Sequence, residues 1–278
     1  ACSHGRRSAS NFAGQHMKHT RHTAWIRGVE PVAVLMAWLA LWWFASHGEW
    51  VSRVFMPTPE ATWESLLKGF SNEAGADAAD LRVASWQTFV RMLLGWGLAS
   101  LIGVALGTLI GMSVVARQWI APTLEFLRPL PASAVLPLAI SIFGLSSGMV
   151  LFVVSFGAMW PVLLATVQGL ANVEPRLREV AAGLQMSRTA FAWKIGLPAT
   201  LPDILAGMRL SMTVSLIVAV VGEMIASQVG LGQAILLAAR SFRASELFAG
   251  IVLLGALGFI SNALLAGLEH RLLRWQRP

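Results

Sequence analysis

Glu179-Val180-Ala181-Ala182-Gly183-Leu184-Gln185-Met186-Ser187-Arg188, closing at Ile195-Gly196-Leu197-Pro198, is a charged island between two long apolar segments. The flanking runs are long enough for membrane-crossing helices, so the island is expected as a loop at one membrane face. It carries helix formers and a spaced Glu…Ile-x-Leu-Pro pattern, more than a connector needs. It therefore reads as a docking site for another protein, and the rest of the chain is read outward from it.

The 278 residues are 56% hydrophobic and 13% charged, with a mean hydropathy of +0.64. Soluble domains carry about 25% charged residues, so too little polar surface remains here to cover a water-soluble globule. Backbone groups in lipid must be satisfied internally, and apolar runs this long exceed barrel strands, so the fold class is all-α membrane protein. The net charge of +7 is spread between loops rather than gathered in a patch, which argues topology and no nucleic acid. The single cysteine, Cys2, supports no disulfide, cysteine-based metal site or catalytic thiol.

About six transmembrane helices are expected, near residues 29–46, 87–112, 119–143, 149–170, 204–225 and 247–268. Pro122, Pro129, Pro131 and Pro137 interrupt the third. A cleaved signal peptide is the competing reading of the first, but Trp38, Trp42 and Trp43 are bulky for one, and Trp43 would fall where a small residue is wanted. Arg and Lys collect in the N-terminal tail, around Arg117 and Arg128, on the island, and at Arg271, Arg274 and Arg277. By the positive-inside rule both termini and the island are expected to be cytoplasmic, in a multi-pass plasma-membrane protein. Residues 1–28 form a cytoplasmic tail, of which 1–16 are expected to be extraneous to the fold; 29–278 form one transmembrane domain with its core at 87–270. His16, His19 and His22 lack fixed partner ligands, so no metal site is assigned.

Gly95, Ala99, Gly103, Gly107 and Gly111 fall four apart and mark a face for close helix packing. Glu223, late in the fifth span, with Ser211 and Ser215 on the same helix, is the candidate for a solute pathway, since intramembrane ionisable groups are costly. A place at the interface, hydrogen-bonded to a neighbour, competes for Glu223. Arg91 is expected to reach outer-face water and Arg209 to snorkel to the cytoplasmic face.

On the island, Glu174-Pro175 suits a helix start, and Leu177, Val180, Ala181 and Leu184 fall at helical spacing. Ser187 can cap a second short helix, which Gly196 and Pro198 are expected to end. Ala182, Gly183 and Leu184 are left as a low-relief knob.

Glu179…Ile195-Gly196-Leu197-Pro198 resembles the EAA loop of bacterial ABC-importer permeases. Pro129-Leu130-Pro131-Ala132, Phe143-Gly144-Leu145, Leu197-Pro198-Ala199, Gly207-Met208-Arg209-Leu210, Glu223-Met224 and Gly230-Leu231-Gly232 continue the likeness. It runs from about Gln87 to the C-terminus and is similar to the branch serving taurine, alkanesulfonates, nitrate and related solutes. The resemblance implies a type I importer permease fold with a cytoplasmic coupling helix in loop 174–198, docking a separate ABC ATPase that holds ATP and Mg. Glu179, Ala181, Ala182, Ile195, Leu197 and Pro198 match the motif; Gly183, Leu184 and Arg188 join the docking set by position. It further implies a second permease copy, a periplasmic solute-binding protein, and a small, anionic solute. Gln185 stands where the motif has its turn glycine, a place whose positive φ a glutamine resists.

No Gly-Lys dipeptide occurs, so no phosphate-binding loop exists in this chain, and neither His-Glu-x-x-His nor Gly-x-Ser-x-Gly is present. The chain is read as a transport subunit with no catalytic residue and no cofactor of its own. An ion-coupled secondary transporter or channel is the alternative, and would call for broken helices in matching repeat halves.

Overall fold

A computed structural model describes residues 32–48, 52, 54–71, 80–127 and 130–273. The expected tail 1–28, the triad His16, His19 and His22, Arg128, Pro129, Arg274 and Arg277 lie outside the described residues. The chain divides into two compact units, 1–63 and 64–278.

In the first unit, α1 (Val32–His47) is apolar. Two indole N–H groups fasten the segment after it. Trp42 Nε1 donates to the Pro57 carbonyl and Trp43 Nε1 to Glu60 Oε1, each at 3.1 Å. Helix α2 (Pro59–Phe70) begins in this unit and ends in the next.

Among the described residues of the second unit four helices are long and apolar enough to cross a membrane, namely Leu81–Gly111, Ser147–Ala171, Arg188–Ala226 and Ala244–Leu272. The first of these, α3 (Leu81–Gly111), opens on Asp80, whose Oδ1 accepts from the Arg82 and Val83 amides at 3.0 and 3.3 Å. That cap satisfies donors that have no partner in the first turn. The expected third span is not one helix. It is α4 (Val114–Leu127), a 3-10 turn (Ala132–Val135) and α5 (Leu136–Phe143). Pro131 opens the 3-10 turn and Pro137 sits in the first turn of α5, where a missing N–H costs nothing.

Helix α6 (Ser147–Ala171) runs parallel to α3, and the small-residue stripe is where they meet. A Cβ on Gly107 would stand 2.6 Å from Thr166 Cβ and 2.9 Å from the Leu163 carbonyl, so the two backbones approach too closely for any side chain. In lipid, where chains are as apolar as side chains, such contact supplies the packing energy. The partner face therefore belongs to the same chain.

After α7 (Pro175–Gly183) and α8 (Arg188–Phe191), α9 (Leu197–Ala226) returns antiparallel to α6. Ser227 turns the chain at φ 50°, α10 (Leu231–Arg240) folds back, and α11 (Ala244–Leu272) runs antiparallel to α9. Helix α5 packs into the α6/α9 pair through Leu136 and Ala139 against Val150, Val153 and Ala219. One end of the unit thus carries the starts of α3, α6 and α11 with α10. The other carries the α7–α8 loop and the end of α11.

Candidate functional site

The loop at the second end is built on the terminus of α6. Arg178 Nη2 donates to the carbonyls of Leu170 and Ala171 at 2.6 and 3.3 Å, closing the last turn of α6 with a cation at its negative pole. Pro175 occupies the first helical position of α7. Ala181 is buried, and a cavity of about 240 Å³ under the loop is lined by Gly111, Leu170, Ala181, Met186 and Phe191. The motif alanine at 181 therefore packs inward. Glu179, Ala182, Gly183, Leu184 and Arg188 are exposed, and so are Leu177 and Val180. Leu177, Val180 and Leu184 make an uncovered apolar stripe on the outer side of α7. The docking set drawn from the motif leaves out its first two residues.

Gln185 turns the chain at φ 49°, the left-handed region that glutamine disfavours. Its amide donates to the Ala182 carbonyl and that of Met186 to Ala181, each at 3.0 Å. Ser187 Oγ accepts from the Ala190 amide at 3.2 Å, capping α8 as expected. Gly196 and Pro198 do not end that helix, contrary to expectation. A π turn over Ala192–Gly196 links α8 to α9, so the helix is continuous from Arg188 to Ala226. Pro198 lacks the N–H that would bond back to residue 194, and the wider i→i−5 turn, closed by the Leu197 amide on the Ala192 carbonyl, absorbs that loss. Ile195, Leu197 and Pro198 are partly buried along it.

The opposite end holds a buried ion pair. Glu223 is 0% exposed, and its Oε1 accepts from Arg91 Nη1 at 2.8 Å. Its Oε2 accepts from Thr88 Oγ1 at 2.9 Å and from the Gly232 amide at 3.0 Å. Thr88 Oγ1 in turn accepts from the Leu231 amide at 2.8 Å, and Arg91 Nη1 also donates to the Val229 carbonyl at 2.6 Å. Ser147 at the start of α6 bonds Gln228 at 3.0 Å. A charge pair out of water is tolerable only when its remaining hydrogen-bonding capacity is filled, as here. Gly230 is required, since a Cβ there would collide with the Glu223 carboxyl. Arg91, expected to reach outer-face water, is instead buried against Glu223, where the ion pair and its hydrogen bonds offset the desolvation that both charges incur. The cluster ties α3, α6, α9 and α10 together at one point.

Ser211 and Ser215 are buried as well. Ser211 Oγ donates to the Ala158 carbonyl on α6 at 2.6 Å, and Ser215 Oγ to Met212 at 2.7 Å. Neither they nor Glu223 line the groove between α6 and α9. Arg209 pairs with Glu269 of α11 near the loop end. The groove itself, about 620 Å³, runs between α6 and α9, with Trp160, Gln168, Asn172, Asp203 and Leu210 among its lining. Asp203 and Gln168 were legible only as isolated polar residues in apolar helices, a weak signal.

These features, three closely packed membrane-length helices with a docked loop at one end, sit in a recognised family. Residues 99–274 match the binding-protein-dependent transport system inner membrane component family, and the chain belongs to it. It is thus a permease subunit of a multi-pass inner-membrane transport system, with the importer permease fold of that family. The chain is similar to the nitrate import permease protein of Leptolyngbya laminosa, 30% identical over 96% of this chain and 94% of the relative. It is 31% identical to the putative aliphatic sulfonates transport permease protein of Bacillus subtilis (strain 168), over 91% and 88%. The taurine transport system permease protein of Escherichia coli (strain K12) is 28% identical over 88% of each chain.

Proposed function

We propose that this chain is the permease of an ATP-driven importer for a small, anionic solute such as a sulfonate, taurine or nitrate, coupled to a separate ATPase through loop 174–198. The observation that carries the reading is the apolar stripe of Leu177, Val180 and Leu184 on a short helix seated on the bundle through Arg178 and the buried Ala181. Arg178 fastens that helix to α6, and the unbroken helix from Arg188 to Ala226 runs from the loop to the Glu223 end. Force applied to α7 by an ATPase groove therefore passes through one hydrogen-bonded turn at Gln185 and then along a single continuous helix to the far side of the membrane. Leu177, Val180 and Leu184, with Glu179, Ala182, Gly183 and Arg188 around them, form the contact surface, while Ala181, Ile195, Leu197 and Pro198 hold it in place.

Arg176, Arg178, Arg188, Lys194 and Arg271 at the loop end support a cytoplasmic location for it by the positive-inside rule. A periplasmic solute-binding protein would then meet the Glu223 end. The α6/α9 groove is the solute path, closed by a second permease copy, with the Gln168 and Asn172 amides as donors. Ser211, Ser215 and Glu223 hold its walls. ATP and Mg reside on the partner ATPase.

Reconstitution with the ATPase and binding protein encoded alongside tests this. Uptake of taurine, ethanesulfonate or nitrate should need ATP and vanish when the ATPase carries a disabled phosphate-loop lysine. Uptake that persists on an ion gradient alone would contradict it.

A further inference from the structure

Helix α2 divides its circumference into three sectors. At about 100° per residue, Trp63, Leu67 and Phe70 share one side within about 60°. Glu60, Glu64 and Lys68 occupy the neighbouring sector, and Lys68 Nζ reaches Glu64 Oε1 at 2.8 Å. Thr62 and Gly69, both buried, occupy the third, where Gly69 lies directly against the Leu81 side chain. The charged sector is solvated and the third is packed. The apolar sector is neither, for Trp63, Leu67 and Phe70 are 61%, 52% and 40% exposed.

The Gly69–Leu81 contact sets the level at which the helix lies. Helix α3 has 31 residues, about 46 Å at 1.5 Å per residue, against a hydrocarbon core of about 30 Å. The charged and solvent-facing Asp80 and Arg82 assign the excess to the Leu81 end, so the first turn of α3 lies in the headgroup layer with the end of α2 against it. At that level an apolar face meets acyl chains on one side while a charged face meets water on the other. Trp63 suits this position, since an indole ring prefers the interface. On α3 itself Val83 and Trp86 are exposed in the first two turns.

We propose that α2 is an interfacial helix whose Trp63, Leu67 and Phe70 insert into the leaflet at the Leu81 end of α3, with Glu60, Glu64 and Lys68 facing water. The occupant of the exposed sector is the lipid surface, not a soluble protein. The proposal stands apart from the direction of transport and the identity of the solute.

Cys2 is the only cysteine, so a Cys2→Ser background accepts single labels. Leu67→Cys, Phe70→Cys, Glu64→Cys and, as a mid-span reference, Leu94→Cys would be tagged with an environment-sensitive fluorophore. The full chain, assembled with its ATPase, would be placed in phosphatidylcholine–phosphatidylglycerol vesicles. Labels at 67 and 70 should be blue-shifted and quenched several-fold more by a shallow lipid nitroxide than by aqueous iodide, with the order reversed at 64. The label at 94 should respond to the nitroxide alone. Two independent apolar positions keep the test decisive if one variant does not fold. Iodide quenching at 67 and 70 equal to that at 64 would overturn the proposal by placing the face in water. Protection there from both quenchers would overturn it equally, by showing a protein covering.

Discussion

Arg91 Nη1 lies 2.8 Å from Glu223 Oε1 across 132 positions of sequence, and the pair joins α3 to α9 inside the membrane-spanning bundle. Within the cluster each is the other's charged partner, the bonds to Thr88, Gly232 and Val229 being to neutral groups, and Glu223 is fully buried and Arg91 nearly so. Removing one partner strands the other. Glu223→Ala and Arg91→Ala should each destabilise the chain by about 3–5 kcal/mol. The double substitution should cost less than their sum, with a coupling of about 1–3 kcal/mol. Thermal unfolding of the four proteins in one detergent measures this, and strict additivity would refute the coupling.

Two glycines make a matched pair. A Cβ at Gly230 meets the Glu223 carboxyl, whereas Gly183 has open space around it. Gly230→Ala should therefore destabilise by about 1–3 kcal/mol through overpacking. Gly183→Ala, in the last turn of α7, should be neutral or stabilise by up to about 1 kcal/mol. The ranking is readable from melting temperatures alone.

Gln185 holds a left-handed turn at φ 49°. Gln185→Gly should stabilise the loop by up to about 1 kcal/mol, because the strain of a Cβ in that conformation disappears. Slower amide exchange at Met186, whose N–H closes the turn on Ala181, is the local readout. Unchanged or faster exchange would show that the turn is not strained.

Asp80 caps α3, and the Arg82 side chain together with the Val83 and Arg82 amides holds its carboxyl below the usual carboxylate range. A depressed folded-state value means the cap contributes fully above the unfolded pKa and is lost as pH falls through the lower folded one. Protection of the Arg82 and Val83 amides should thus be flat through neutral pH and fall only in acid. Asp80→Asn should retain part of the protection and lose the pH dependence.

Much of the bundle is legible in sequence because its signals are local. The four-residue spacing of Gly95, Ala99, Gly103, Gly107 and Gly111 declares a packing face within one helix, and Pro131 and Pro137 announce where the third span breaks. Glu174-Pro175 and Ser187 fix the starts of α7 and α8 in the same way. What stays hidden is set by tertiary contact. Nothing near Glu223 names Arg91 as its partner. The π turn before Pro198 keeps a helix going where local rules end it, since Gly196 is packed against Leu170 and the ends of both helices are held together. Inward and outward positions on α7 are likewise invisible until α6 is in place, where Ala181 is buried and Val180 exposed.

The central claim is that α7 is the surface through which an ATPase drives this permease, and co-purification tests it most directly. The chain would be expressed with its candidate ATPase as wild type, as Glu179→Arg/Gly183→Arg, and as Val180→Arg/Leu184→Arg. All four positions are exposed, so the variants should fold and melt like the parent. The account predicts that the wild-type complex survives purification while both variants lose the ATPase. An intact complex with both variants would contradict it.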